Sequence, residues 1–260
     1  MLRRHDRLVL ERSSVPARAH PWPGHDQAAQ LILLDPSIVP MPASFQSWAR
    51  QLAAQGITTM RTGALAPRQA AQAEAAGMRC IQELALLEAR PPLASGRVAN
   101  LGAMRRPTHT SPCREGRLGK HDFDDMADID RAAFGDLWRL DASMLRDVCA
   151  ATPAFRARVV RHRPTRLPRL RRTEPIGFLV SGRAGRSGYV QRLAVHPDHH
   201  RQGAATALLV DALVWMSRWR ADRVLVNTHV DNVAALTLYR THGFVDMPER
   251  LRVYEGTTQS

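Results

Sequence analysis

The stretch that most limits what this chain can become runs from Val195 to Leu209, VHPDHHRQGAATALL. An apolar run, Tyr189–Val195, leads into it, the chain turns at Pro197, and a second apolar run with helical period begins at Gly203 and continues to Trp219. The first run reads as a strand and the second as a long helix, with a short turn between them. The start of a helix leaves backbone N–H groups unpaired and carries the positive end of the helix dipole. Gly203, Ala204 and Ala205 are small enough to let a diphosphate approach that backbone, and Arg201 adds a cation. An ordinary strand–turn–helix connection also tolerates small residues there, so the segment taken alone leaves both readings open.

A second segment narrows the choice. Asn232–Phe244, NVAALTLYRTHGF, places Asn232 and Tyr239 seven residues apart, on one face of a helix and about two turns from each other. Tyr239 lies in an apolar stretch, where a buried phenol needs a polar partner. Gly243 is placed to close the helix and Phe244 to begin the next strand. Core packing alone would also account for such a helix end.

Four regions follow along the chain: an irregular segment 1–27 with a short strand near Leu8–Leu10, a small α/β region 28–90, a Pro-, Gly- and Arg-containing linker 91–118, and a larger domain 119–256. In the small region the patterns predict a strand at Leu31–Leu34, a helix at Ser44–Gln55 ending at Gly56, a strand at Ile57–Thr62, a helix at Pro67–Ala76 closed by Gly77, and a strand at Cys80–Leu87. In the larger one they predict helices at Asp122–Phe134 and Ala142–Ala150 and a strand at Phe155–Val160. Strands at Ile176–Ser181 and Tyr189–Val195 flank a turn, Gly182–Gly188. Then come the helix Gly203–Trp219, the strand Arg223–Thr228, the helix Asn232–His242, and strands at Phe244–Met247 and Leu251–Tyr254. The plan is α/β with a mixed sheet.

Composition removes several classes of function. No apolar run reaches the 18 or so residues needed to span a bilayer, and Met1–His20 lacks the apolar core of a secretory leader, so a cytoplasmic protein is expected. Cys80, Cys113 and Cys149 are odd in number and widely spaced, which fits reduced thiols better than a disulfide framework or a zinc site. His196, His199 and His200 lie beside Asp198, but no ligand pair at metal-binding spacing accompanies them, and no metal is expected. The formal charge of +13 is almost all arginine, Lys120 being the single lysine. Eight arginines concentrate in Arg156–Arg172 and would attract phosphate, though no aromatic residue is interleaved for base stacking. A solvated loop and a nucleic-acid contact are the two readings of that run.

The order LAV-x-P, G-x-A, N-x-x-A-x-x-LY-x-x-x-GF across Leu193–Phe244 resembles the GNAT superfamily of acetyltransferases, and the resemblance extends over roughly Asp122 to Glu255. The family's phosphate motif, R/Q-x-x-G-x-G/A, reads His200-Arg201-Gln202-Gly203-Ala204-Ala205 here, with His200 in place of the first Arg or Gln. The resemblance implies a mixed, mostly antiparallel sheet flanked by helices, preceded by the smaller α/β region. It also implies acetyl-CoA as co-substrate. Leu193, Ala194 and Val195 would pair with the pantetheine arm, Asn232 would bond to the same arm, and Arg201–Thr206 (Arg201, Gln202, Gly203, Ala204, Ala205 and Thr206) would hold the diphosphate. A backbone N–H near Leu193 or Ala194 would polarise the thioester carbonyl while an amine attacks directly, and Tyr239 would protonate the departing thiolate. Relatives that acetylate protein N-termini often carry a Glu five residues before the motif's Asn; Asn227 stands there and cannot accept a proton. His229, two residues on and on the same strand face, is the candidate base, acting through a water that Gln191 could hold.

Residues 31–88 echo the second half. Leu31–Pro36 corresponds to Leu193–Pro197 and Gly77-Met78 to Gly243-Phe244, at an offset of 243 − 77 = 166 residues, while Cys80–Glu88 parallels Asp246–Glu255. Ala66 and Ala73 stand where Asn232 and Tyr239 would be, so the first region reads as a half-copy without cofactor contacts. The expected activity is acetyl transfer to a primary amine on a small molecule or a protein. A non-catalytic acyl-CoA-binding module and a nucleic-acid-binding protein are the alternatives. Acceptor contacts are expected from Gly135–Ala142, with Trp138, and from the segment after Phe244.

Overall fold

The computed structural model describes residues 8–10, 15–22, 25–35, 37–91, 110–112, 120–162 and 174–258. Cys113 and Arg163–Arg172 lie outside them. The elements of the first part are β1 (Leu8–Leu10), β2 (Ala17–Trp22), β3 (His25–Leu33), α1 (Pro42–Ala53), β4 (Thr59–Thr62), α2 (Pro67–Ala75), β5 (Arg79–Ala89) and β6 (Thr110–Pro112). There follow α3 (Lys120–Trp138), α4 (Ala142–Ala150), β7 (Ala154–His162), β8 (Glu174–Ala184), β9 (Ser187–Val195), a 3₁₀ turn (Pro197–His199), α5 (Ala204–Arg218), β10 (Arg223–His229), α6 (Val233–Thr241) and β11 (Val245–Thr257). They form two compact units. One takes the chain up to Leu86 together with Asn227–Leu236 and the residues from Asp246 onward; the other takes Leu87–Val226 and Thr237–Val245.

The first unit has the strand order β1-β2-β3-β4-β11-β5. β2 runs antiparallel to β1 and β3, β4 runs parallel to β3, and β11 returns antiparallel to β4 with Glu255 opposite Arg61. Its core gathers Leu10, Leu31, Phe45, Trp48, Leu52, Met60 and Tyr254, each at most 1% exposed. The second unit has the order β10-β9-β8-β7-β6, antiparallel except for the parallel pair β9/β10. Its core packs Phe123, Met126 and Ile129 of α3 and Leu145 and Cys149 of α4 against Val159, Phe178, Val180 and Ala194. The Cys149 thiol is pushed up to about 11 by burial, which leaves it a small hydrophobe rather than a nucleophile. Among the described residues Cys80 is the other free thiol.

The same sequence of elements with the same pairing senses occurs twice: an antiparallel hairpin, a helix, a strand parallel to the hairpin's second strand, a second helix and a closing strand. In the first unit these are β2, β3, α1, β4, α2 and β5; later in the chain they are β8, β9, α5, β10, α6 and β11. The echo reaches individual hydrogen bonds. α2 ends with Gly77 N–H donating to Glu74 O and Met78 N–H to Ala73 O; α6 ends with Gly243 N–H donating to Arg240 O and Phe244 N–H to Tyr239 O. Both are Schellman closures, and each needs a left-handed residue after the helix, met by Gly77 at φ +85° and Gly243 at φ +86°.

Several predicted boundaries move. Segment 1–27 is more regular than its Arg and Pro content suggests: Ala17–Trp22 is a full strand because Ala17 and Ala19 are buried, and Pro21 is accommodated at an irregularity in the β2/β3 register. β3 begins six residues before Leu31, and Leu34 is exposed in the following bend. Within the predicted linker, Thr110–Pro112 pairs with β7. The turn between β8 and β9 shrinks to Gly185-Arg186, with Gly185 at φ +56°. The two closing strands are one, since Pro248 does not interrupt β11.

Candidate active site

β9 carries the geometry that distinguishes the second unit. Against β8 its register is Phe178↔Ala194, Leu179↔Leu193 and Val180↔Arg192, and then Ser181↔Val190, so Gln191 is an extra residue and forms a β-bulge. On the other edge the parallel ladder with β10 runs from Ser187↔Arg223 to Val190↔Val226 and ends where the bulge begins. A bulge re-aims a strand and terminates pairing. Beyond it, within this unit, Gln191–Val195 carries a ladder on its β8 edge alone, and such an edge is a template for an extended chain bearing amides.

The turn after β9 is built by its own histidines. His196 N–H donates to Ile176 O at 2.8 Å, His196 Nδ1 accepts from Asp198 N–H at 3.3 Å, and His200 Nε2 lies 3.0 Å from Val195 O. Among the described residues no group of three or more His, Cys, Asp or Glu is placed to hold a metal. Two left-handed residues follow, Arg201 at φ +59° and Gly203 at φ +82°, on either side of Gln202. Alternating backbone handedness of this kind turns successive N–H groups into one concavity, a nest for an anion. Gly203 is the N-cap of α5 and supplies no side-chain cap; Ala207 N–H is the first to reach back, to Gly203 O at 2.9 Å. The N–H groups of Ala204, Ala205 and Thr206 therefore have no intrahelical acceptor. Arg201, Gln202 and Gly203 are exposed, and Ala204 is buried beneath them. The helix is anchored by Leu208, Leu209, Ala212, Leu213 and Met216, all buried on one face.

Tyr239 is fixed by the helix closure already described. Its carbonyl accepts from Phe244 N–H, and the two rings lie 5.5 Å apart, the apolar contact that accompanies a Schellman motif. The side chain is 5% exposed. Burial pushes the phenol well above its usual range, and the charge of Arg192 opposes that shift in part. Arg192 itself was not singled out from the sequence. It donates to both oxygens of Asp130, at 2.7 and 2.8 Å, and to Trp138 O at 2.8 Å, while its guanidinium carbon sits 3.6 Å from the Phe134 ring centroid. Asp130 is fully buried and also accepts from Leu140 N–H at 2.6 Å. The available signal was Arg192, the one charged residue inside the run YVQRLAV; Asp130 stands among the five aspartates of DFDDMADIDRAAF and carries no such mark.

Other predicted residues have definite duties. The Gln191 amide N–H₂ donates to Val148 O at the end of α4, at 3.0 Å, while its Oε1 is buried with no hydrogen-bond partner among the described residues. His229 and Asn232 belong to the first unit. Asn232 Oδ1 accepts from Ala235 N–H at 3.1 Å and caps α6. His229 Nδ1 accepts from Asp231 N–H at 3.1 Å and lies 3.6 Å from the Asp231 carboxylate. In the neutral ring the proton is then on Nε2, which can donate but not accept. Of the arginine run, the described members are ion-paired: Arg156 and Arg158 with Asp211 of α5, and Arg161 with Asp122 and Asp125 of α3.

A hairpin, a bulged strand with a half-open edge, an anion nest opening a helix, and a buried phenol are thus gathered in the second unit. Residues 124–244 match the Acetyltransferase (GNAT) family. Among curated relatives, N-alpha-acetyltransferase 30 of Saccharomyces cerevisiae is 37% identical over 67 residues, which is 26% of this chain and 38% of that protein. The human protein of the same name is 36% identical over 69 residues, 26% of this chain and 19% of that protein. The similarity thus takes in well under half the length of these relatives. Among solved structures, a tandem GNAT protein from the clavulanic acid biosynthesis pathway superposes with a TM-score of 0.62 at 17% identity, covering 95% of this chain and 79% of its own. A GCN5-related N-acetyltransferase from Kribbella flavida gives 0.56 at 16% identity, covering 96% and 88%.

Proposed function

We propose that the chain transfers an acetyl group from acetyl-CoA to a primary amine, and that the amine is the N-terminus of a protein or peptide. The observation that carries the donor assignment is the nest at Arg201–Gly203 opening onto the uncapped first turn of α5. Its N–H groups, the dipole and the Arg201 guanidinium all suit a diphosphate. The half-open edge of β9 at Leu193–Val195 suits the two amides of a pantetheine arm, and an N–H near Leu193 or Ala194 would polarise the thioester carbonyl. The amine attacks the carbonyl carbon as the C–S bond breaks, and Tyr239 gives its proton to the thiolate. A thiol of pKa about 8.5 is already a fair leaving group, so the phenol assists a step that proceeds slowly without it. His229 serves as base once its ring proton moves from Nε2, and in the doubly protonated form Nδ1–H would face Asp231. The curated relatives, all named as N-alpha-acetyltransferases, favour an α-amine acceptor over a small molecule.

The test has two stages. Isothermal calorimetry with coenzyme A is expected to give saturable heat for the wild type and none for Gly203→Glu, which puts bulk and a negative charge into the nest. Labelled acetyl-CoA is then offered with a panel of peptides bearing free N-termini and a panel of small amines. Tight binding without turnover on either panel would favour a non-catalytic acyl-CoA module instead, and turnover of small amines alone would overturn the acceptor assignment.

A further inference from the structure

The run Arg156–Arg172 has no aromatic residue among its arginines, yet the second unit brings aromatics to its described members from another element. Trp219 ends α5 and is 54% exposed, an uncommon place for so large an apolar ring. Arg183 of β8 lies over that ring, its guanidinium carbon 4.5 Å from the centroid, and its Nε is buried with no hydrogen-bond partner among the described residues. Trp215 stands one turn earlier on the same helix face, and Asp211 one turn before that. Asp211 pairs with Arg156 and Arg158 of β7. In the β7/β8 register Ala154 lies opposite Arg183 and Arg156 opposite Ser181, so Arg158, Arg156 and Arg183 share the sheet face that meets α5. From Arg158 to Ala154 the strand covers about 13 Å. From Asp211 to Trp219 the helix covers about 12 Å. The two rows are therefore of one length, enough for about four nucleotides at roughly 3.4 Å each.

The end of α5 carries a backbone conformation that its side chains must repay. Arg220 N–H donates to Ser217 O and Ala221 N–H to Met216 O, the same closure that α2 and α6 make through Gly77 and Gly243. Here the left-handed position is filled by Arg220, at φ +53°, where glycine is the relaxed choice. Arg218, Trp219 and Arg220 are exposed one after another. A strained residue that presents a cation beside an open ring points to a use for that side chain. The nearby carboxylate of Asp222 is engaged by Arg186.

We propose that this margin of the second unit, α5 from Asp211 to Arg220 together with β7 and β8, binds a single-stranded nucleic acid. Bases stack on Trp219 and Trp215, and phosphates meet Arg183, Arg218 and Arg220. An exposed ring flanked by guanidinium groups distinguishes a single strand, whose bases are open, from a duplex that offers its phosphates alone. The formal charge of +13 suits a polyanionic partner. The proposal uses no residue of the diphosphate nest or of the β9 edge, and it stands apart from acetyl transfer.

The test is fluorescence anisotropy of the full chain with a labelled oligouridine about 12 nucleotides long, near physiological salt. Trp219→Ala leaves the charge unchanged and is expected to weaken binding by about five- to tenfold. Arg220→Gly relaxes the backbone, so its melting temperature is expected to hold or rise, while its affinity falls by about threefold and the salt slope by about 0.7. Arg68→Gln, at an exposed position of α2 in the first unit, removes the same charge elsewhere and is expected to change affinity by less than about twofold. Oligothymidine separates the two sources of the strand: equal binding assigns the surface to base and phosphate, and weaker binding adds the ribose hydroxyl, each in accord with the proposal. Absence of a saturable signal overturns it. So does a duplex bound as tightly as the single strand, wild-type affinity in Trp219→Ala, or an equal loss in Arg68→Gln and Arg220→Gly, because charge alone then accounts for the binding. An oligoglutamate that binds more tightly than the oligouridine also overturns it, in favour of an acidic protein partner.

Discussion

Arg201→Gly should make the protein more stable and a poorer binder of coenzyme A, two effects of opposite sign from one side chain. Arg201 holds φ +59°, where an L-residue costs roughly 1–2 kcal/mol because its Cβ crowds the following carbonyl. Glycine removes that cost but adds freedom to the unfolded chain, worth roughly 0.5–1 kcal/mol against folding. The difference leaves a net gain of roughly 0.5–1 kcal/mol. At about 2–4 °C per kcal/mol for a chain of this size, the ligand-free melting temperature rises by about 1–4 °C. Binding moves the other way. A hydrogen bond between a guanidinium and a phosphate contributes about 1.5–3 kcal/mol. Arg201 is exposed, so solvent and salt reduce that figure, and a loss of about 1.4 kcal/mol, tenfold in Kd, is expected near physiological salt. The assays are a thermal melt without ligand and a calorimetric titration with coenzyme A, repeated at high salt, where the gap between wild type and variant should narrow. A lowered melting temperature would refute the strain at Arg201, and an unchanged Kd would refute its place on the diphosphate.

Tyr239→Phe is expected to lower kcat by about tenfold or more while coenzyme A affinity holds, because the phenol acts as the thiolate departs; unchanged turnover in a steady-state assay would make it a packing residue. Gly243→Val puts a β-branched side chain at φ +86° in the closure that fixes Tyr239, and should cost roughly 2 kcal/mol, read as a fall in denaturant midpoint together with lost activity. Burial works to raise the Asp211 carboxyl, but Arg156 and Arg158 outweigh it and hold the group below its usual value. Its contribution to stability is therefore present above the unfolded pKa near 3.9 and is lost as pH falls through the lower folded value. Asp211→Asn should lower the melting temperature at pH 7 and flatten that acid-side loss. Calorimetry should also give one coenzyme A per chain, two sites being the result that contradicts a single nest.

Helices and strands with a strong period were legible because local chemistry alone fixed their ends. Gly56, Gly77 and Gly243 each follow a helix and each adopt φ between +79° and +86°, so the residue type announced the geometry. The nest was half legible: the small residues from Gly203 predicted open N–H groups, whereas nothing local marks Arg201 as left-handed. β2 was missed because its strand character comes from burial between β1 and β3, which Pro21 and Arg18 hide. The bulge at Gln191 was also beyond reach, since register depends on where β8 lies. The tie from the Gln191 N–H₂ to α4 was hidden with it. Arg192 was passed over for the same reason. A charge in a strand reads as a solvent-facing position until a buried aspartate 62 residues away is known to meet it.

The internal echo sets two regions of like element order beside one another. Both copies keep the hairpin, the parallel strand and the glycine-closed second helix, which are packing and hydrogen-bonding requirements that any apolar sheet with helices must meet. They differ where an anion would lie. Up to the first residue of α1 the sequence has Pro36, Pro40 and Pro42, three residues without N–H groups, and Asp35 takes the Ser37 N–H and hydroxyl on its own carboxylate. A negative group already occupies the donors that a diphosphate would need, and Pro42 removes one more at the head of the helix. Ala73 stands in the position of Tyr239 within a hydrogen-bonded closure of the same type, so the framework that aims a side chain there survives without a proton to give. The two regions thus differ in electrostatics and backbone chemistry at the head of the first helix rather than in the order of their elements.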